Sequence, residues 1–167
     1  MKKGPINRKG FSLIEAVIAT VLLGIAAASV LLPFSTGAAV QAEGTAHTLG
    51  AKIASDLMEL IVSKPFHDPD GSTYYYNLGP DENEPTAADF DNIDDFHGYA
   101  EAQGQVKDTN FALFTDSKYD KFSRLVTCAY VSVSPQDGTY TPNFIRITVE
   151  VCYDGDEVAT LNRLVSE

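Results

Sequence analysis

The stretch "RKGFSLIEAVIATVLLG", residues 8–24, moves from charge into a nearly unbroken apolar run and keeps one carboxylate, Glu15, inside it. From Phe11 to Phe34 the polar side chains are only Ser12, Glu15, Thr20 and Ser29. At about 1.5 Å per residue, a helix of this length crosses most of a hydrocarbon core of roughly 30 Å. Basic residues precede it, which predicts an N-terminus held in the cytoplasm and a body outside. A cleavable secretory signal needs a short apolar region and a small-x-small site, whereas this run is long and passes into helix-compatible sequence without a turn. A plain signal anchor explains length and flanks but not Glu15. A charge in a lipid span costs about 2.5–3.5 kcal/mol on insertion scales, so its retention points to function.

Gly10, Phe11, Ser12, Leu13, Ile14 and Glu15 follow a short basic leader. This arrangement resembles the processing site of the type IV pilin and type II secretion pseudopilin superfamily. The resemblance covers about the first thirty residues. It implies that a prepilin peptidase, a membrane aspartic protease, cuts after Gly10 and N-methylates Phe11. It also implies that Glu15 meets the terminal amine of a neighbouring subunit and so sets the register of helices in a filament. A local alternative stays open: Phe11 and Glu15 stand at i and i+4 on one helix face, so Glu15 can pair with its own chain's new amine. In either case the helix dipole favours an anion in the first turns.

Twelve basic residues oppose 23 acidic ones. Four of the basic residues, Lys2, Lys3, Arg8 and Lys9, lie in the first ten, so from Phe11 onward eight face 23, a net of −15. A basic head and an acidic body are separate chemical zones. Such a body repels phosphates, and no nucleic acid is expected as a partner; Lys118, Lys121 and Arg124 are the only candidates for a basic patch.

The helix is expected from about residue 11 to 63, with Pro33 bending rather than ending it, as many members of the superfamily have a Pro near this point. Residues 1–10 then form the leader, 11–34 the membrane and filament-core helix, and 35–64 its amphipathic extension. Ala46, Leu49, Ile53, Leu57, Leu60 and Ile61 recur at steps of three and four and predict one buried stripe. Gly37, Gly44 and Gly50 either permit close packing or are merely tolerated. Lys64-Pro65 is the expected stop.

Residues 65–121 read as an acidic variable region, dense in Pro, Gly, Asp and Asn. Asp89, Asp91, Asp94 and Asp95, with His97 nearby, offer hard oxygen ligands of the kind calcium takes, although the spacing is not an EF-hand. Some pseudopilins bind calcium in such a loop; the other reading is a solvated loop held by Asx turns. "FDNIDDFHGY", residues 90–99, is similar to a loop of minor pilins of the mannose-sensitive haemagglutinin type. Phe90, Ile93, Phe96 and Tyr99 recur every three residues and predict docking through aromatic side chains. Tyr74, Tyr75 and Tyr76 offer either a binding face or cover for the core.

Residues 122–167 read as antiparallel strands. Leu125, Thr127, Ala129, Val131 and Val133 share one face of the first, and Ile145, Ile147, Val149, Val151 and Tyr153 one face of the second. Superposing these faces pairs Val131 with Val149 and Val133 with Ile147, and sets Cys128 opposite Cys152. That register is consistent with a cross-strand disulfide in an oxidising compartment; two free thiols are the alternative. "YDGDE" turns the chain into a last strand over 158–165.

The expected fold is therefore α+β: a long N-terminal transmembrane helix leading into a small antiparallel sheet, the layout the pilin resemblance also implies. HExxH, GxSxG and Gly-rich phosphate loops are absent from the sequence, so no enzyme is expected and no cofactor is required beyond the candidate calcium. The expected role is a minor pilin-like or pseudopilin subunit. Its partners would be prepilin peptidase, other pilin or pseudopilin subunits and the inner membrane. The alternative is a membrane-tethered extracytoplasmic binding module that uses its acidic loop for calcium or a surface ligand.

Overall fold

The computed structural model describes residues 10, 12–69, 78–131 and 144–166, the side chains of 32, 35 and 39 excepted. The Phe11 terminus, the tyrosines at 74–76 and the Val133 pairing lie outside these residues. The chain divides into two compact units, residues 1–43 and 44–167. One helix, α1 (Leu13–Val62), begins in the first and ends in the second, and it continues through Pro33.

In the first unit α1 is apolar on every side. Leu13, Val17, Val21, Leu22, Ile25 and Phe34 are all exposed, and the most apolar 18-residue window is long enough to cross a membrane with none of it buried. A helix apolar all round belongs in lipid or against other apolar helices. Its hydroxyls are satisfied locally. Thr20 donates to the carbonyl of Val17 at 2.8 Å, Ser29 to Ala26 at 2.8 Å and Thr36 to Pro33 at 3.1 Å. No hydroxyl of the three is left to be solvated by hydrocarbon.

In the second unit α1 becomes one-sided. Ala46, Ile53, Ala54, Leu57, Met58 and Ile61 are buried, while Leu49 and Leu60 are only half-buried. The seam is thus rotated from the expected stripe toward Gly50, Ala54 and Met58, because two small residues let the backbone approach the sheet. That sheet has four antiparallel strands in the order β1 (Ala100–Glu101), β2 (Phe122–Val131), β3 (Phe144–Tyr153) and β4 (Asp156–Ser166). Asp154 and Gly155, both at positive φ (56° and 94°), close the β3–β4 hairpin in the turn whose twist matches its strands.

The β2–β3 register corrects the expected one. Val149 pairs with Val126 and not with Val131, and Val131 pairs with Phe144. The displacement is five residues. An odd displacement exchanges the faces of a strand. Phe122, Arg124, Val126 and Cys128 therefore point into the core against Val151, Val149 and Ile147, and Leu125 is 43% exposed on the other side. The expected face leaves a charge, Arg124, on the opposite side of β2. The protein instead buries it with a partner.

The disulfide expected between Cys128 and Cys152 is overturned by the same register. Cys128 pairs with Ile147 on the buried face, Cys152 with Ser123 on the opposite face, and both are free thiols. Cys128 donates to the carbonyl of Ile93 at 3.5 Å, and burial pushes its thiol up to about 12, so it is inert at neutral pH.

Arg124 and Glu101 form an ion pair at 2.6 Å with side chains 3% and 2% exposed. Arg124 also donates to the carbonyls of Ile53 at 2.9 Å and Lys107 at 2.8 Å, and Tyr99 donates to Glu101 at 2.7 Å. Removing one member leaves the other charged and buried, which costs about 3–5 kcal/mol. Arg124→Leu should lower unfolding stability by that amount in urea titrations of the detergent-solubilised chain. Adding Glu101→Leu to it should recover part of the loss.

A β-bulge at Val151/Cys152 leaves Val158 unpaired in the ladder. Its carbonyl accepts a hydrogen bond from His47 Nδ1 at 2.8 Å, and its Cγ2 lies where a Cβ at residue 50 would come within 2.7 Å. A Cβ at residue 44 would meet nothing within 4 Å. Gly44→Ala should therefore raise stability by about 1 kcal/mol through helix propensity. Gly50→Ala should lower it by about 1–3 kcal/mol through overpacking against a stiff β-branched side chain. Melting both variants beside the parent decides it.

Candidate functional site

Two regions carry the residues singled out in the sequence. The first is the start of α1. Gly10 and Ser12 are non-helical and exposed, and the helix begins at Leu13. Ser12 is its N-cap: Ser12 Oγ accepts the Glu15 N–H at 3.2 Å, and the Ser12 carbonyl accepts the N–H groups of Glu15 at 3.1 Å and Ala16 at 3.2 Å. Glu15 is thus the third residue of the helix, exposed, in the turn where unpaired N–H groups favour an anion. Sequence reasoning took Ser12 only as part of the cleavage motif. Ser-x-x-Glu before an apolar run is also a helix-start signal, and it was there to be used.

The second region is the acidic segment, which packs onto the sheet through its aromatics. Phe90, Ile93 and Phe96 are buried, with Phe90–Phe96 and Phe96–Tyr99 rings edge to face at 5.1 and 6.1 Å. Of the four candidate ligands, only Asp91 and Asp95 come together. They do so with Glu84, which the sequence reading passed over, and the three carboxylates offer oxygens within 4.8 Å of one another. Asp89 instead caps Thr86, accepting its N–H at 3.2 Å and its hydroxyl at 2.7 Å. Asp94 accepts the Tyr130 hydroxyl at 2.8 Å, and His97 turns Nδ1 to the backbone of Cys128. Glu84 and Asp95 stand eleven positions apart with no fixed helical spacing, so only the folded loop shows the grouping.

Backbone donors hold the trio. The Asp91 N–H reaches Glu84 Oε1 and Asp95 Oδ2, both at 3.0 Å, the Asn92 N–H reaches Asp95 Oδ2 at 2.9 Å, and the Asp81 N–H reaches Glu84 Oε2 at 3.2 Å. Glu84 and Asp95 bring carboxylate oxygens within 4.8 Å of each other. Burial pushes both upward, and it does the same to Asp94. Glu84, Asp91 and Asp95 are the residues that could hold a hard cation; backbone amide donors serve the same carboxylates without one.

Elsewhere the three basic-patch candidates are each paired with an acid. Lys118 meets Asp116 at 2.9 Å, Lys121 meets Asp154 at 2.8 Å, and Arg124 is buried on Glu101. None of the three candidates for a basic patch is thus an unpaired cation.

Comparison with known proteins comes down on the first region. Residues 6–31 match the family model of the prokaryotic N-terminal methylation motif, which is typical of type IV pilins and pseudopilins. The helix and antiparallel sheet have the pilin-like α+β layout. No curated protein and no solved structure matches the chain.

The raised carboxyls fix the sign of a pH effect. A carboxyl with a raised pKa binds its proton more tightly folded than unfolded. It adds stability below the ordinary carboxylate range and loses it as pH rises through the raised value. Glu84, Asp94 and Asp95 should therefore make the protein more stable as pH falls from neutrality into the ordinary carboxylate range. Asp108, Asp116 and Asp154, exposed and shifted downward, act in the opposite sense only at lower pH. Urea midpoints across this range test the sign, and Glu84→Gln should flatten the rise.

Proposed function

We propose that the chain is a minor pilin-like or pseudopilin subunit of a type IV pilus or a type II secretion pseudopilus. The observation that carries the reading is the methylation motif over residues 6–31, which overlaps the start of an apolar helix long enough to span a membrane. In this reading the precursor sits in the inner membrane with its leader in the cytoplasm and its sheet outside. Prepilin peptidase cuts after Gly10 and methylates Phe11. The subunit then joins a filament through the exposed apolar face of α1, with Glu15 meeting an N-terminal amine. Its work is mechanical rather than catalytic. The long acidic segment suits a minor component.

A second reading, a tethered module that binds calcium or a surface ligand outside the membrane, has the Glu84–Asp91–Asp95 trio in its favour. Mass spectrometry of the N-terminal peptide from membrane-extracted protein separates the two. The subunit reading expects a peptide beginning at N-methylated Phe11. An intact Met1 leader in cells with active peptidase would make the tethered module the better reading. Glu15→Ala should be processed yet be lost from the filament fraction; normal incorporation would remove the assembly role from Glu15.

A further inference from the structure

A cavity of about 140 Å³ lies between the second half of α1 and the segment over residues 107–114. Leu57 and Leu60 line it from the helix and Phe114 from the other side, so part of its wall is apolar. Three cations, Lys52, Lys107 and Arg124, line it beside two carboxylates, Asp56 and Asp108. Positive charge thus prevails in this cavity, within a body of net −15. We propose that the cavity binds a carboxylate carried on a short apolar stem, with Lys107 as its counter-ion. The proposal does not depend on how the N-terminus is processed.

The two carboxylates are already engaged. Asp56 pairs with Lys52 one turn away on α1, and Asp108 Oδ1 accepts the N–H groups of Asn110 at 2.8 Å and Ala112 at 2.9 Å. Two of the cations are not fully engaged. Lys107 Nζ has no acceptor among the described residues. Arg124 is 5% exposed and spends three of its five donors on Glu101 and the carbonyls of Ile53 and Lys107, which leaves two without an acceptor among the described residues. An ammonium beside a buried guanidinium with open donors is satisfied by an anion and repels a cation. The fold holds Lys107 in place. Its carbonyl accepts from Arg124, it bridges to Leu113, and the Phe114 N–H donates to the Val106 carbonyl at 3.0 Å. Phe111, at a φ of 60°, closes the loop between and packs edge to face on Tyr99 at 6.4 Å. Little ordering is then lost on binding. A cavity of about 150 Å³ accepts a molecule the size of benzene, with six heavy atoms. Butyrate has that size, and so has a glutamate side chain counted with its Cα.

The test titrates the full chain, in micelles of a non-ionic detergent, with butyrate and with its neutral isostere butyramide, and follows backbone amides by NMR. Butyrate should shift the amides of Lys107, Thr109 and Leu57 with a Kd on the order of 1 mM, the scale open to six heavy atoms. Butyramide should bind about tenfold more weakly, because it loses the charge-assisted bonds. Lys107→Gln should weaken butyrate by a similar factor and Lys107→Arg should preserve it; Lys107 is only half-buried, and the same spectra report that each variant is folded. Sedimentation with and without butyrate then separates two sources of the acid. Butyrate that dissociates copies of the parental chain, but not of Lys107→Gln, identifies a side chain of a second copy; binding with no effect on association identifies a free acid. Equal binding of butyrate and butyramide would overturn the proposal. So would undiminished butyrate binding by Lys107→Gln, or no amide shift at concentrations well above that Kd.

Discussion

A guanidinium that cannot be deprotonated sits in the core, and the second unit is arranged around it. Arg124 carries five donors in a planar fork, and three of its nitrogens reach Glu101, the Ile53 carbonyl and the Lys107 carbonyl. Each partner comes from a different part of the chain: β1, α1 and the segment after β1. Satisfying one buried cation therefore brings four stretches of backbone into contact. It also explains the two-residue strand β1, which pairs Ala100 with Leu125 and Glu101 with Arg124. That strand is too short to be specified by its own hydrogen bonds. Its place follows from the carboxylate it carries and from Tyr99, which orients that carboxylate from two residues away.

The same charge marks where sequence reasoning succeeds and where it stops. The apolar helix, its charge and its cleavage motif are local patterns, and each could be read from adjacent residues. So could the Asp154-Gly155 hairpin and the three-residue step of Phe90, Ile93 and Phe96. The β2–β3 register is not local. Two faces of β2 compete, one carrying Leu125 and Val131, the other Val126, Cys128 and Arg124. Only Glu101, 23 residues before Arg124, makes the second face a core face. The cysteine pairing fails with the register, because it was inferred from it. Gly50 and Ala54 were under-read for a different reason: small residues give a weak hydrophobic signal, yet they set how closely α1 approaches Val158. Glu84 joins Asp91 and Asp95 through loop geometry that no spacing rule describes.

Between its ends α1 changes the solvent it is built for. Over residues 16–40 its polar residues are all hydroxyl-bearing, and Thr20, Ser29 and Thr36 each donate to a carbonyl one turn back. Over the second unit, Lys52 and Asp56 pair at i and i+4 on a wet face while Ile53 and Leu57 are buried. A hydroxyl suits lipid because it can donate where the helix offers only acceptors. A carboxylate cannot, since when ionised it has no proton to give.

That asymmetry limits where a carboxylate can stand in a lipid helix. Along its length every N–H is already bonded to a carbonyl four residues earlier, so an anion at position 19 or 22 would meet no donor. The first turn is different, because its N–H groups have no helical acceptor. Ser12 takes one of them, that of Glu15 itself, and the end of the helix remains positive toward the Glu15 side chain. On the proposed reading, leader removal at Gly10 would add a cationic amine at Phe11, four residues before Glu15 in the sequence. The carboxylate thus stands in the one part of the span where helix polarity already tolerates it. The place of the charge follows from the direction of the helix, whichever partner Glu15 meets on the proposed reading.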